Sequence, residues 1–272
     1  PPMTNYMVCL AHFCELHGPS VIACTQIIDE RSVKENLLLA NSRLASCLSC
    51  QFILPDSTAN LVTKLTKDNE KKPANLHKSA SPIPTLTPTS TPTPTDLILE
   101  KVSISTHYPS SQKRYSALTK LVMKSLSVET MSDLSKPMFY GDAINGYCIN
   151  QIFKVEDLNA RGGERKYSLM VISDNESELL MRWEIVSIYF NVVIELIQKK
   201  VAKANQVKQS ESNNSSNNFG DGDSSTNKMF DNERYLRRSL IKPKSLTELT
   251  NDNEIFVRIH LCVTEMLKDI LG

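Results

Sequence analysis

The spacing of apolar positions changes several times along the chain, and each change marks an element. Residues 6–13 and 20–28 are apolar runs centred on Val8-Cys9-Leu10-Ala11 and Val21-Ile22-Ala23-Cys24, separated by His17-Gly18-Pro19. Two short apolar runs around a Gly-Pro turn predict an antiparallel hairpin. The pattern then loses any clear period as far as about residue 65. At 113–126 the apolar positions Tyr115, Leu118, Val122 and Leu126 recur every three or four residues, which predicts a helix that Ser110 or Ser111 would cap. Three strand-like runs follow at 138–141, 146–155 and 166–173, with Asn145-Gly146 as a turn between the first two. Leu179, Trp183, Val186, Phe190, Val193 and Ile197 form one stripe of a long helix over 176–204, with Asp174 or Asn175 as its cap. Phe256, Ile259, Val263, Met266, Leu267 and Ile270 predict a last helix over 253–271.

Two segments break this pattern. Residues 67–95 are polar and then alternate Pro with Thr or Ser, which removes backbone donors and disfavours helix. Residues 205–232 are rich in Ser, Asn, Gly and Asp, with too few apolar groups to offset the entropy of ordering. Both are expected to be disordered insertions in a single domain covering 3–272, with Pro1-Pro2 a cloning remnant ahead of Met3. The remaining order, ββαβββαα, predicts an α/β (α+β) fold in which a five-stranded sheet is sandwiched between helices.

Charge narrows the function classes. The net charge is +1, and the only basic clusters are pairs such as Lys199-Lys200 and Arg237-Arg238, so no nucleic-acid partner is expected. No run of about 18 apolar residues predicts a membrane-spanning helix, and no signal peptide is visible. Seven scattered cysteines fit a reducing compartment better than a disulfide framework.

Candidate chemistry is sparse. Residues 155–167 read Val-Glu-Asp-Leu-Asn-Ala-Arg-Gly-Gly-Glu-Arg-Lys-Tyr, a polar loop whose Gly162 and Gly163 permit an outward tip and positive φ, with Arg161 beside them. On the residues alone this is a solvent-exposed hairpin loop. Arg165 and Lys166 alternate with Tyr167 and begin the next strand. Cys47-Leu48-Ser49-Cys50 has CxxC spacing, which suits zinc or thiol redox chemistry. No second CxxC exists, and Cys14, His12 and His17 stand at no recognised spacing. Unmetallated thiols are therefore the expectation, with Cys47 and Cys50 as the candidate ligands and no cofactor. His12 and His17 lack a nucleophile elbow or carboxylate partner, so a packing role at the strand end is expected. No phosphate-binding Gly loop followed by Lys-Ser/Thr appears.

The wording His12-Phe13-Cys14-Glu15-Leu16-His17-Gly18-Pro19 resembles the opening of the folliculin family. Met138-Phe139-Tyr140-Gly141-Asp142, Asn159–Tyr167, Arg237-Arg238-Ser239-Leu240 and Ser245-Leu246-Thr247 extend the resemblance. It implies a longin domain of the short fungal kind. Longer members continue into a DENN region, whereas this chain stops at Gly272, so activities that need DENN are not expected. It also implies a non-enzymatic GTPase activator that works with a folliculin-interacting-protein-type partner. The target would be a Rag C/D-type GTPase, in amino-acid signalling to the TOR kinase complex. Such a protein would be cytoplasmic and reach the vacuolar or lysosomal surface only through partners. Arg161 matches the family's arginine finger, with Arg165 and Lys166 as possible GTPase contacts. The alternative is a non-catalytic longin scaffold that recruits the same partners.

Overall fold

The computed structural model describes residues 5–41, 47–65, 100–127, 134, 136–157, 159–216 and 243–272. The insertion predicted over 67–95, the later part of the one predicted over 205–232, and the Arg237-Arg238-Ser239-Leu240 match lie outside the described residues.

Seven strands form one antiparallel sheet. In chain order they are β1 (Met7–Cys14), β2 (Gly18–Asp29), β3 (Leu61–Lys64), β4 (Lys101–Thr106), β5 (Met138–Asp142), β6 (Gly146–Glu156) and β7 (Glu164–Ser173). Their order across the sheet is β3-β4-β2-β1-β7-β6-β5. The helices are α1 (Val33–Asn41), α2 (Gln112–Leu126), α3 (Glu176–Met181), α4 (Trp183–Ser216), α5 (Leu246–Thr250) and α6 (Ile255–Leu271).

The central strand β1 is apolar at nearly every position because both sheet faces are covered. Val8 and Leu10 point into a core made with Val186, Phe190, Val193 and Ile197 of α4 and Phe256, Ile259 and Val263 of α6. Met7, Cys9 and Ala11 face the other way, onto Leu118, Leu121, Val122 and Leu126 of α2. Of the expected candidates, Ser111 and not Ser110 caps α2, and Asn175 and not Asp174 caps α3: each accepts a hydrogen bond from the backbone N–H three residues on.

The α+β class and the helix-covered sheet agree with expectation and suit a longin-like fold. The strand number is corrected from five to seven. The added strands extend the sheet beyond β2, β4 pairing with β2 and β3 with β4. Neither announces itself, because β4 carries serines where a buried strand normally carries apolar residues. Those serines are buried in a polar seam: Ser103 Oγ lies 2.9 Å from Thr264 Oγ1 and Ser105 Oγ lies 2.6 Å from His260 Nδ1. The long helix is also corrected. It breaks at Arg182 and then continues to Ser216, through the first part of the segment expected to be disordered. No Gly or Pro occurs between Trp183 and Ser216, and extension of an anchored helix costs little per residue. Before α6, the short α5 is set by a capping box between Ser245 and Glu248.

Two consequences for stability follow. His260 is buried, with Nε2 2.9 Å from Thr63 Oγ1, and its burial lowers its pKa to about 4. The folded state therefore holds it neutral while the unfolded chain, with an ordinary pKa near 6.5, takes up a proton. The associated stability is present above about pH 6.5 and is lost as pH falls toward about 4, a change on the order of 3 kcal/mol. Urea unfolding between pH 7.5 and 4 should show that decline, and His260→Gln should flatten it.

Gly141 has φ +150°, and a Cβ there would lie 2.5 Å from Tyr147 Cα and clash with the Gly146 carbonyl oxygen. Gly141→Ala should cost about 1–3 kcal/mol of unfolding free energy in denaturant melts.

Candidate functional site

Strands β6 and β7 form a long hairpin, paired up to Glu156 and Glu164. The loop joining them is closed on itself. The Asp157 N–H donates to the Gly163 carbonyl at 2.9 Å, the Ala160 N–H to the Asp157 carbonyl at 2.8 Å, and the Gly163 N–H to the Ala160 carbonyl at 3.0 Å. Arg161–Gly163 make one tight turn, within which Gly162 and Gly163 adopt φ of +81° and +76°. A side chain at either position would be strained, so the paired glycines set the reversal.

Arg161 stands exposed on this turn. Its backbone N–H is held by Glu15, which accepts it through Oε1 at 2.6 Å. Among the described residues its guanidinium has no hydrogen-bond or ion-pair partner. The loop therefore combines a fixed backbone with an uncommitted cation.

Arg165 does the opposite. It is 6 % exposed, and its Nε donates to Asp157 Oδ2 at 2.8 Å while Nη1 donates to Ser49 Oγ at 3.2 Å. The expectation that Arg165 could touch a GTPase is corrected: its side chain is turned inward and supports the loop. The second ligand of Asp157 is Lys244 Nζ, 2.9 Å from Oδ1, contributed by the segment just before α5. Burial pushes the Asp157 carboxyl upward, but the bonds from Lys244 and Arg165 outweigh it and hold the carboxyl below its ordinary range. Lys166 is half-buried on β7, opposite Lys154.

Cys47 and Cys50 flank a turn at Leu48–Cys50, where the Cys50 N–H donates to the Cys47 carbonyl at 3.1 Å. The fold brings Cys14 and His17, from the end of β1 and the β1–β2 turn, against them. The Cys14, Cys47 and Cys50 sulfurs and one ring nitrogen of His17 all lie within 4.8 Å of one another. His12 is fully buried, with Nε2 3.3 Å from the Cys50 sulfur, and it packs beside Tyr167 as expected of a strand-end residue.

Glu15, Ser49, Asp157 and Lys244 were not legible as site residues. Each acts through a partner far away in sequence, Glu15 on Arg161, Ser49 on Arg165 and Asp157 on Lys244, so the segments that hold Glu15, Ser49 and Asp157 did not reveal those roles. The one available hint was Glu15, placed between Cys14 and His17 in the first turn. A shallow hollow lined by Lys200, Lys203, Ala204, Val207, Thr250 and Asn251 has a volume of about 180 Å³, below the roughly 300–1,000 Å³ of small-molecule sites.

An antiparallel sheet between helix layers, carrying a hydrogen-bonded hairpin loop with an exposed arginine, defines an α+β domain of longin-like form. Residues 101–270 match the family model described as "Folliculin: Vesicle coat protein involved in Golgi to plasma membrane transport". That match covers more than half of the chain, and the chain belongs to the folliculin family. Over 99 % of its length it is 26 % identical to Protein LST7 of Saccharomyces cerevisiae, covering 98 % of that protein. It is 26 % identical over 70 % of its length to Folliculin-like protein bhd1 of Schizosaccharomyces pombe, covering 67 % of it. Human folliculin is 23 % identical over 97 % of the chain, which spans 45 % of that protein. Among the described residues no helix is long and apolar enough to cross a membrane.

Proposed function

We propose that the chain is one subunit of a GTPase-activating complex and supplies Arg161 in trans to a Rag C/D-type GTPase. The observation that carries this reading is the exposed, unpartnered guanidinium of Arg161 on a loop whose backbone is held at both ends and by Glu15. An arginine finger must reach into another protein's nucleotide site with little loss of freedom. Its planar, permanently charged fork then bonds two oxygens as charge develops on the transferring phosphoryl group. The activator needs no pocket of its own for this, since the nucleotide and magnesium belong to the GTPase. Leu16 is 66 % exposed in the same turn as Glu15, and gives the surface beside Arg161 an apolar contact. Lys166 is the remaining basic residue near the loop that could meet an acidic GTPase surface.

Family membership supports a folliculin-type role. On this reading the chain works with a folliculin-interacting-protein-type partner in amino-acid signalling to the TOR kinase complex, and partners bring it to the vacuolar surface. The test is single-turnover GTP hydrolysis by a Rag-type heterodimer, with the chain and its partner, wild type against Arg161→Ala, with complex affinity measured in parallel. Loss of stimulation at unchanged affinity supports the finger. Equal stimulation by both versions overturns it.

A second reading, a non-catalytic scaffold, is favoured by the sheet edge. Among the described residues strand β5 pairs only with β6, and the turn that follows it exposes Ile144 at 81 %. An edge strand beside an exposed apolar residue can take an added strand from a partner. Equal GTP hydrolysis with Arg161→Ala, together with loss of partner binding when β5 is disrupted, would favour this reading.

A further inference from the structure

We propose that Cys14, His17, Cys47 and Cys50 bind a structural zinc ion, and that this ion forms the platform on which the Arg161 loop rests. The metal assignment stands on the geometry of the four residues and does not depend on the GTPase reading.

Four of the six donor-to-donor distances match the edges of a tetrahedral site, and the other two lie within 4.8 Å. The Cys14 sulfur lies 3.6 Å from the Cys47 sulfur and 3.5 Å from His17 Nδ1. The Cys50 sulfur lies 3.6 Å from the Cys47 sulfur and 3.5 Å from the same Nδ1. A tetrahedron with zinc–sulfur bonds of about 2.3 Å and zinc–nitrogen bonds of about 2.0–2.1 Å sets sulfurs roughly 3.8 Å apart and sulfur and nitrogen roughly 3.6 Å apart. The sulfurs are too far apart for a disulfide, whose bond is about 2.05 Å, and three thiols cannot all pair. Thiols are also weak partners for one another, so convergence of three of them on an imidazole nitrogen gains little unless a cation takes the lone pairs.

Donor type selects the metal. Three thiolates and one imidazole suit zinc, and four protein ligands leave no open position, which marks a structural and not a catalytic ion. The ligands come as two short pairs, Cys14-x-x-His17 from the β1–β2 turn and Cys47-x-x-Cys50 from the turn before β3. Zinc would need the cysteines as thiolates and would hold them so. The His12 Nε2–H is placed to donate to the Cys50 sulfur, the kind of outer hydrogen bond that orients a ligating thiolate.

The platform role follows from what lies between the ligands. Glu15, between Cys14 and His17, accepts the Arg161 backbone N–H. Ser49, between Cys47 and Cys50, accepts from Arg165, which in turn grips Asp157 at the base of the loop. The ion would clamp the two segments that carry Glu15 and Ser49.

The test begins with metal analysis of the full-length chain purified under reducing conditions without chelator. The expected result is about one zinc per chain, retained in Cys262→Ser and lost in Cys14→Ser and in Cys47→Ser. Because those variants can unfold, wild-type protein is also stripped and reloaded with cobalt, which should give the ligand-field and thiolate-to-cobalt charge-transfer bands of a tetrahedral site. Hydrogen exchange should then show residues 157–163 losing protection on metal removal while the β5–β6 turn keeps its own. Reduced protein with less than about 0.1 metal per chain and no tetrahedral cobalt spectrum would overturn the site. A stoichiometric metal other than zinc overturns the choice of ion, and unchanged protection at 157–163 overturns the platform. None of these readouts requires a GTPase, so failure here is separable from failure of the arginine-finger reading.

Discussion

Arg161→Ala is expected to lower GTPase stimulation by about 10³–10⁵-fold while leaving the fold and the affinity of the complex nearly unchanged. The fold is spared because the Arg161 side chain is exposed and makes no hydrogen bond or ion pair among the described residues, and because Glu15 binds its backbone N–H, which alanine retains. Arg161→Lys is the sharper version. Lysine restores the positive charge on a similar stem but offers a single rotatable ammonium instead of a planar fork. If stimulation depends on bonding two oxygens at once, Lys recovers only a small part of the loss. If it depends on charge alone, Lys recovers most of it. Single-turnover rates for the three proteins separate the cases, and thermal melts should coincide within about 0.5 kcal/mol for such a surface change.

Asp157→Ala is expected to have the largest effect on stability, about 3–5 kcal/mol. The Asp157 and Arg165 side chains are 2 % and 5 % exposed, so deleting the carboxylate strands a buried guanidinium and also frees Lys244. The loop closure itself involves the Asp157 backbone and survives on paper, yet its base is no longer held. Activity should therefore fall although Arg161 is untouched. Urea unfolding gives the stability, and hydrogen exchange across 157–163 reports the loop. Replacing Asp157 and Arg165 together by apolar residues of similar volume should recover part of the loss, because a buried ion pair removed as a pair costs far less than one left half-made.

Much of this fold was visible in the chain because its core elements carry strong periods. The β1–β2 hairpin, α2, β5 to β7 and α6 all fall within a few residues of their expected limits, and the turn expected at Asn145-Gly146 is a three-residue loop, 143–145, after which Gly146 opens β6 at φ +90°. Strand β4 was missed for a physical reason: Ser103 and Ser105 are buried by pairing with Thr264 and His260, more than 150 positions away. A polar residue whose partner is so distant looks like a surface residue. The same applies at the site. The exposed position of Arg161 was legible because two glycines mark a loop tip, and its candidate role came only from the family resemblance, whereas Asp157, Ser49 and Glu15 matter only through contacts that the fold creates. The CxxC at Cys47 was visible, with unmetallated thiols as its expected state and Cys14, His12 and His17 at no recognised spacing from it. Cys14 and His17 lie about thirty residues earlier and join it only when the β1–β2 turn docks.

The position of β1 also bears on how the domain is made. Strand β1 lies at the centre of the sheet, and one of its two neighbours, β7, is translated much later, with Met7 opposite Ile172. At about 5–20 residues per second, the ribosome leaves one edge of β1 unpaired for roughly 8–30 s. During that interval an apolar hairpin has neither its lateral partner nor the helices that cover its faces. Contacts this distant along the chain slow folding and expose intermediates to aggregation. The nascent N-terminal hairpin is therefore the part of the molecule with the greatest need of a chaperone or an early-bound partner.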